Sequence, residues 1–181
     1  MMPKQPDPLL EKAILNGALA LLSRQGSHAL TMRAVAEAAD TSTPTVYQRF
    51  ADREAILDAI CEDVRKRMAR ELQRASSVEE ACRHYLLFAQ RHPHEYELLM
   101  QASWSNAAAS GYQGPVFLAA KEQIKKQFPG KPAQQVALLI QLWCLVHGAA
   151  SLLITAQRSG DKGEDIVKAC YLACKALLTK R

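Results

Sequence analysis

The stretch Thr31–Arg53, TMRAVAEAADTSTPTVYQRFADR, constrains the fold more than any other part of the chain, because it spells two short helices, a tight turn and the opening of a third. Ala34, Val35, Ala38 and Ala39 recur at helical spacing after Thr31, whose hydroxyl suits an N-cap. Asp40 tolerates the left-handed backbone that a sharp turn demands, and Ser42 is placed to cap the second helix. Pro44 falls in that helix's first turn, where the amide it lacks would have had no helical partner. With Val46 and Phe50 facing inward, Thr43, Pro44, Thr45, Tyr47, Gln48 and Arg49 are left exposed. Hydroxyls, an amide, a phenol and a guanidinium, with almost no acid among them, are groups that meet phosphates and base edges in a DNA groove. A helical hairpin without a nucleic-acid role has the same spacing; turn and exposed chemistry together favour the DNA reader.

Gly26, Thr31, Val35-Ala36, Ala38-Ala39, Ser42, Thr45-Val46-Tyr47, Phe50 and Arg53 together resemble the helix-turn-helix pattern of TetR-family repressors over roughly the first third of the chain. The chain departs from that pattern at Asp40, where the family usually has Gly, at Thr41, where it prefers an apolar residue, and at Arg49, often His. None of these breaks the geometry, but the operator sequence does not carry over. The resemblance implies that Gln48 and the Thr43-Pro44-Thr45 tip read bases while Thr31, Tyr47, Arg49 and Arg53 hold phosphates. Arg33 adds a cation on the same side.

A chain of 181 residues, 49% apolar, has enough material for one large or two small helical domains with a real core. The net charge of +5 permits a polyanionic partner without demanding one. Across residues 1–55 the charges cancel, Lys4, Lys12, Arg24, Arg33, Arg49 and Arg53 standing against Asp7, Glu11, Glu37, Asp40, Asp52 and Glu54, so affinity for DNA has to come from where the cations sit. The further cluster Arg65, Lys66, Arg67 and Arg70 reads first as a solvated helix face. Five scattered cysteines, Cys61, Cys82, Cys144, Cys170 and Cys174, with no CxxC pair, suit a reducing cytoplasm. Cys170 and Cys174 share a helix face and could bind metal or sense oxidation, though both sit in an apolar stripe where packing is the simpler role. The polar, proline-rich opening from Met1 to Pro8 does not read as a secretory leader.

In chain order, Asp7 and Pro8 start a first helix with the stripe Leu10, Ile14, Ala18, Leu21 and Leu22, and Gly26 ends it. After the reading head, Asp52 caps a long helix reaching about Ala75. Ser76-Ser77 with Glu79-Glu80 offers a capping box where the apolar pattern restarts. One helix then runs to His92, another starts at Pro93, and 107–114, with two glycines and no period, reads as a loop. Pro115 to Phe128 resumes a helix with Lys121, Lys125 and Lys126 outward. Val136 to Ala156 is almost uninterruptedly apolar; Gln141, His147, Ser151 and Thr155 and the lack of an aromatic belt speak for a helix buried on all sides in a bundle, not a membrane span. The last helix carries Ile166, Cys170, Ala173 and Leu177 beside a second stripe of Val167, Cys174 and Leu178. Two over-apolar helices in succession are explained if each chain contributes them to a four-helix interface with its twin.

Trp143 to Gly148 resembles the W-x-x-x-H-G signature of one TetR-family C-terminal domain type. Tyr85, Phe88, Tyr96, Met100, Trp104, Trp143 and His147 could line an apolar ligand pocket in such a domain, each being equally at home as plain core. No Gly-rich phosphate loop is present, and His92-Pro93-His94 with Glu95 and Glu97 is too local to make a metal site, so neither catalysis nor a cofactor is expected. The expectation is an all-α chain: a helix-turn-helix domain over 1–53, a connecting helix over 54–76, and a ligand-binding and dimerisation domain over 77–181. Its partners would be an operator in double-stranded DNA, a small-molecule effector and a second copy of itself. The leading expectation is a repressor released from a pseudo-palindromic operator by a small, largely apolar ligand; the alternatives are an activator of the same fold, which sequence does not separate from a repressor, and a helical ligand-binding or interaction protein without regulatory DNA binding.

Overall fold

The computed structural model describes residues 8–100 and 114–179, and among these the regular structure is helical, with no strand, as an all-α chain requires. The chain forms two compact units. One holds the residues up to Val64 together with the stretch that begins at His94, and the other holds Arg65–Pro93 together with the later helices.

In the first unit, α1 (Pro8–Gln25) buries Ile14, Gly17, Ala18 and Leu22, with Leu10 and Leu21 half-buried at the edges of the same stripe. The Asp7 cap expected for it lies outside the described residues. Gly26 ends α1 at φ 80°, its amide donating to the Leu22 carbonyl at 2.8 Å. A single 3₁₀ turn, Ser27–Ala29, leads to α2 (Met32–Ala38), where Thr31 Oγ1 accepts from Ala34 N at 3.1 Å as the N-cap. Asp40 stands at φ 50°, the Asp40 amide donates to Glu37 O at 3.2 Å and the Thr41 amide to Ala36 O at 2.9 Å. These two bonds form a Schellman ending, which satisfies carbonyls the helix would otherwise leave open. Ser42 then caps α3 (Thr43–Tyr47) by accepting from Thr45 N at 3.3 Å.

Val46 and Phe50 are buried, as their spacing predicts, and α4 (Arg53–Arg74) opens with Asp52 Oδ1 accepting from Ala55 N at 2.8 Å. On α2 the inward face is Met32, Val35 and Ala36, while Ala38 lies exposed. Its backbone nonetheless sits against α1: a Cβ at Gly17 would stand 2.9 Å from the Ala38 carbonyl carbon. The helix over 93–100, α6 here, gives this unit buried Glu95, Tyr96 and Leu99, and Ser23 donates to Glu95 Oε1 at 2.9 Å.

The second unit contains the distal part of α4, then α5 (Val78–Arg91), α7 (Pro115–Gln127), α8 (Pro132–Arg158) and α9 (Glu164–Thr179). Ser77 caps α5 by accepting from Glu80 N at 3.1 Å, and the Glu80 carboxylate reaches back to Ser76 N and Oγ, both at 2.6 Å. Those bonds hold the Glu80 carboxyl below its ordinary range. The end of α4 is gripped by its neighbours. Buried Gln123 of α7 donates to the carbonyls of Leu72 and Ala75 at 2.9 and 3.0 Å, and His84 Nδ1 meets Glu71 O at 2.9 Å.

One expectation needs correction here. The α8 helix is not buried on all sides within its chain: Ile140 is 53% and Leu152 60% exposed, in line with exposed Cys144 and Gly148. On α9, Ile166 and Leu177 are half-buried, whereas Ala169, Leu172 and Ala176 form the open face. By length and a mean hydropathy of 2.0, Pro132–Arg158 could cross a membrane, and 44% of its most apolar window is buried inside the chain.

Candidate nucleic-acid interface and ligand cavities

The α3 helix presents Pro44, Tyr47 and Gln48 to solvent, Tyr47 being 54% exposed, with Thr43, Thr45 and Arg49 half-exposed around them. Thr45 Oγ1 shares a 2.7 Å hydrogen bond with the capping Ser42 hydroxyl, so the N-terminal turn is locally fixed. Arg49 has its Nε buried with no hydrogen-bond partner, one donor of the guanidinium left unsatisfied beside the helix. An unsatisfied buried donor is expensive, and an anion brought to the guanidinium relieves part of that penalty. Thr31 and Arg33, at the start of α2, are also exposed.

Arg53 has a more complex placement. Its Nε donates to Leu30 O at 2.8 Å, Nη2 to Ser27 O at 2.7 Å, and Nη1 to Glu54 Oε1. Three of the five guanidinium N–H groups are therefore engaged, and two remain to meet a phosphate. Arg53 thus ties the Ser27–Leu30 turn to the start of α4, a role that local spacing could not reveal. Arg65, Lys66, Arg67 and Arg70 fall in the second unit, the first three in interactions of their own.

The residues proposed from sequence as a ligand pocket are divided between the two units. Tyr85, Phe88, Trp143 and His147 belong to the second unit, Tyr96 and Met100 to the first, and Trp104 lies outside the described residues. Tyr85 meets Trp143 edge-on with ring centres 6.1 Å apart, and its hydroxyl lies 3.4 Å from His147 Nδ1. Burial lowers the His147 pKa, favouring the neutral ring. Phe88 is buried and packs on the His92 ring at 5.0 Å. Phe117 of α7 completes the aromatic group at 6.3 Å from Trp143; it was missed because nothing in the local pattern of α7 links it to α8.

Between these side chains the free space is small. The cavity lined by Leu72, Val78, Tyr85, Gln123, Leu142 and Trp143 measures about 40 Å³, far below the several hundred Å³ of an ordinary ligand pocket. A cavity of about 420 Å³ lies elsewhere in the same unit, between α5 and α9.

Comparison with known proteins agrees with this architecture. A family model described as bacterial regulatory proteins, tetR family, matches residues 14–60, and one described as tetracyclin repressor-like, C-terminal domain, matches residues 78–171. No curated protein matches the chain. Among solved structures, a tetR-family transcriptional regulator from Streptomyces coelicolor has a TM-score of 0.74 at 16% identity, covering 97% of this chain and 82% of that one. A TetR variant from Acinetobacter baumannii, in complex with minocycline, has a TM-score of 0.69 at 17% identity, covering 97% and 96%. At such identities the structures attest the fold alone. The two family models, one over the capped helix-turn-helix and one over more than half of the chain, show that this protein belongs to the TetR family of bacterial regulatory proteins.

Proposed function

We propose that the chain is a homodimeric repressor that places α3 of each copy in the major groove of a pseudo-palindromic operator and is released by a small, largely apolar ligand. The observation that carries the reading is the outward surface of α3. Pro44, Tyr47 and Gln48 are exposed without an acid among them, on a helix whose start is fixed by the Ser42 cap. Gln48 and the Thr43–Thr45 tip read base edges, and Thr31, Arg33, Tyr47, Arg49 and the two spare donors of Arg53 hold phosphates.

The open faces of α8 and α9 support a twin as the second partner. Gly148 has nothing within 4 Å of where a Cβ would stand, so no packing inside its own chain calls for glycine there. A helix-interior glycine is unfavourable by about 1 kcal/mol relative to alanine, and close approach of a second helix is what such a residue permits. Covering Ile140, Leu152 and Leu172 with a second copy also removes the need for lipid around α8.

Residues 1–53, 54–76 and 77–181 then serve as reader, connector and effector domain, working in the cytoplasm. The effector domain follows the W-x-x-x-H-G type, with the ligand entering where Tyr85, Phe117 and Trp143 part around His147. A relative seen with minocycline supports a small molecule as the effector class. A gel shift against the DNA upstream of its own reading frame tests the proposal: a discrete complex that resists nonspecific competitor is expected, and absence of any shift at micromolar protein and low salt rejects it.

A further inference from the structure

Cys82 of α5 and Cys170 and Cys174 of α9 all line the cavity of about 420 Å³, where Leu86 and Val167 supply apolar surface and Glu79, Arg83, Lys162, Glu164 and Lys168 also take part in the lining. Cys174 stands one turn on from Cys170 along α9 and is close enough to both Cys170 and Cys82 for each to perturb its thiol, while Cys170 Sγ donates to the Leu145 carbonyl at 4.0 Å. Cys82 is half-buried, while Cys170 and Cys174 are 4% and 1% exposed. All three are free thiols.

We propose that Cys82 and Cys174 form a dithiol site for a trivalent, thiophilic metalloid bearing an apolar organic group, such as an aryl arsenical, with that group lodged in the adjoining cavity. The chemistry balances without an oxidant or reductant. An arsenoxide condenses with two thiols: two arsenic–sulfur bonds form, the arsenic–oxygen bond breaks, and the oxygen leaves as water with both thiol protons. Arsenic stays trivalent, and a neutral pair of thiols becomes a neutral adduct, so the buried Cys174 sulfur is not asked to carry a charge.

The surroundings suit this ligand. The Cys170 hydrogen bond lowers the Cys174 pKa, but the bond to Cys82 and burial outweigh it and push the thiol up to about 12. The Cys174 bond and burial push Cys170 up as well. Cys174 therefore rests protonated, and its proton leaves with the arsenoxide oxygen as water. Among the described residues no three His, Cys, Asp or Glu side chains are placed to hold a metal ion, so a ligand that asks for two thiols fits where a chelated cation does not. Cys82 also lines the small cavity beside Tyr85 and Trp143, so the site adjoins that group, but the dithiol chemistry does not depend on the regulatory reading.

Reduced full-length protein, mixed with phenylarsine oxide and weighed intact by native mass spectrometry, tests the proposal. Each chain should gain one phenylarsenic group less two hydrogens, and a small dithiol should reverse the gain where a monothiol does not. Cys82→Ser and Cys174→Ser should each weaken uptake on the order of 10²-fold or more, the advantage that a second tethered ligand supplies. Cys61→Ser and Cys144→Ser should leave it unchanged. Should a serine variant fail to fold, mapping which cysteines of the unmodified protein the arsenical shields from alkylation after denaturation reads the same site; Cys82 and Cys174 are expected. Unchanged uptake in folded Cys82→Ser or Cys174→Ser, shielding of other cysteines, an adduct spanning two chains, or a Cys82–Cys174 disulfide forming with peroxide faster than arsenic is taken up would each overturn the proposal.

Discussion

At Asp40 a non-glycine residue holds φ at 50°, and the turn between α2 and α3 closes around it through the Asp40 and Thr41 amides. Left-handed backbone is unfavourable for a residue with a Cβ by roughly 1–2 kcal/mol, partly offset in Asp by its short polar side chain. Asp40→Gly should therefore stabilise the protein by about 1 kcal/mol in thermal denaturation, and a fall in stability would show that the Asp side chain does more than tolerate the turn. Gly17 makes the opposite case. Gly→Ala inside a helix is ordinarily stabilising by roughly 0.5–1 kcal/mol, but here the new Cβ would meet the Ala38 backbone at 2.9 Å. Gly17→Ala should instead destabilise by about 1–3 kcal/mol and weaken DNA binding by pushing α2 off α1. These caps were legible in sequence because Thr31, Ser42 and Asp52 each act within three residues of themselves. The Gly17 contact was not, since it joins residues 21 apart in the chain.

Among the elements, α8 and α9 show where local reading stops. Both neighbouring stripes of α9 are apolar and both turn at least halfway inward; the open face, with Leu172, belongs to neither stripe, so their periodicity did not mark it. A charge test of the dimer uses the open faces. Leu152→Glu and Leu172→Glu should produce monomers that bind operator poorly while their folding stays near normal, because in the single chain these side chains are 60% and 56% exposed. Ile166→Glu and Leu177→Glu should lower the melting temperature as well, since each forces a carboxylate among its own chain's packing. Sedimentation and melting curves on the four variants separate these outcomes, and dimers persisting in both Leu152→Glu and Leu172→Glu would remove these faces as the interface. The same limit hid the Gln123 grip on α4 and the meeting of Cys82 with Cys174, both of which join separate helices.

For the molecule as a whole, α4 is the continuous helix that begins at the reading head and ends under Gln123 and His84 in the second unit. A ligand that parts Tyr85 and Trp143 lies next to Gln123 in the cavity lining, so it can disturb the grip on the α4 end. A preference of about 1–3 kcal/mol for the undocked arrangement is enough for 5–150-fold release, and bound DNA must weaken the ligand equally. Trp143→Ala should reduce induction while operator affinity without ligand stays near normal. Normal release of that variant by a true inducer would place the pocket or the coupling elsewhere. The reader half of this scheme was open to sequence because its chemistry is packed into one stretch, Thr31 to Arg53. The effector half was less so, since Phe117 meets Trp143 across two separate helices.

Selection of bound sequences from a random pool of duplex DNA, run in parallel with the unmodified protein and with Gln48→Ala, tests the central claim most directly. The unmodified protein should enrich a pseudo-palindrome whose half-sites lie one helical turn apart, roughly 34–36 Å, and Gln48→Ala should lose or change its preference at a symmetric pair of positions while keeping the spacing. Enrichment of no sequence, or of the same sequence with the same preferences by Gln48→Ala, would contradict the account of α3 as the reader.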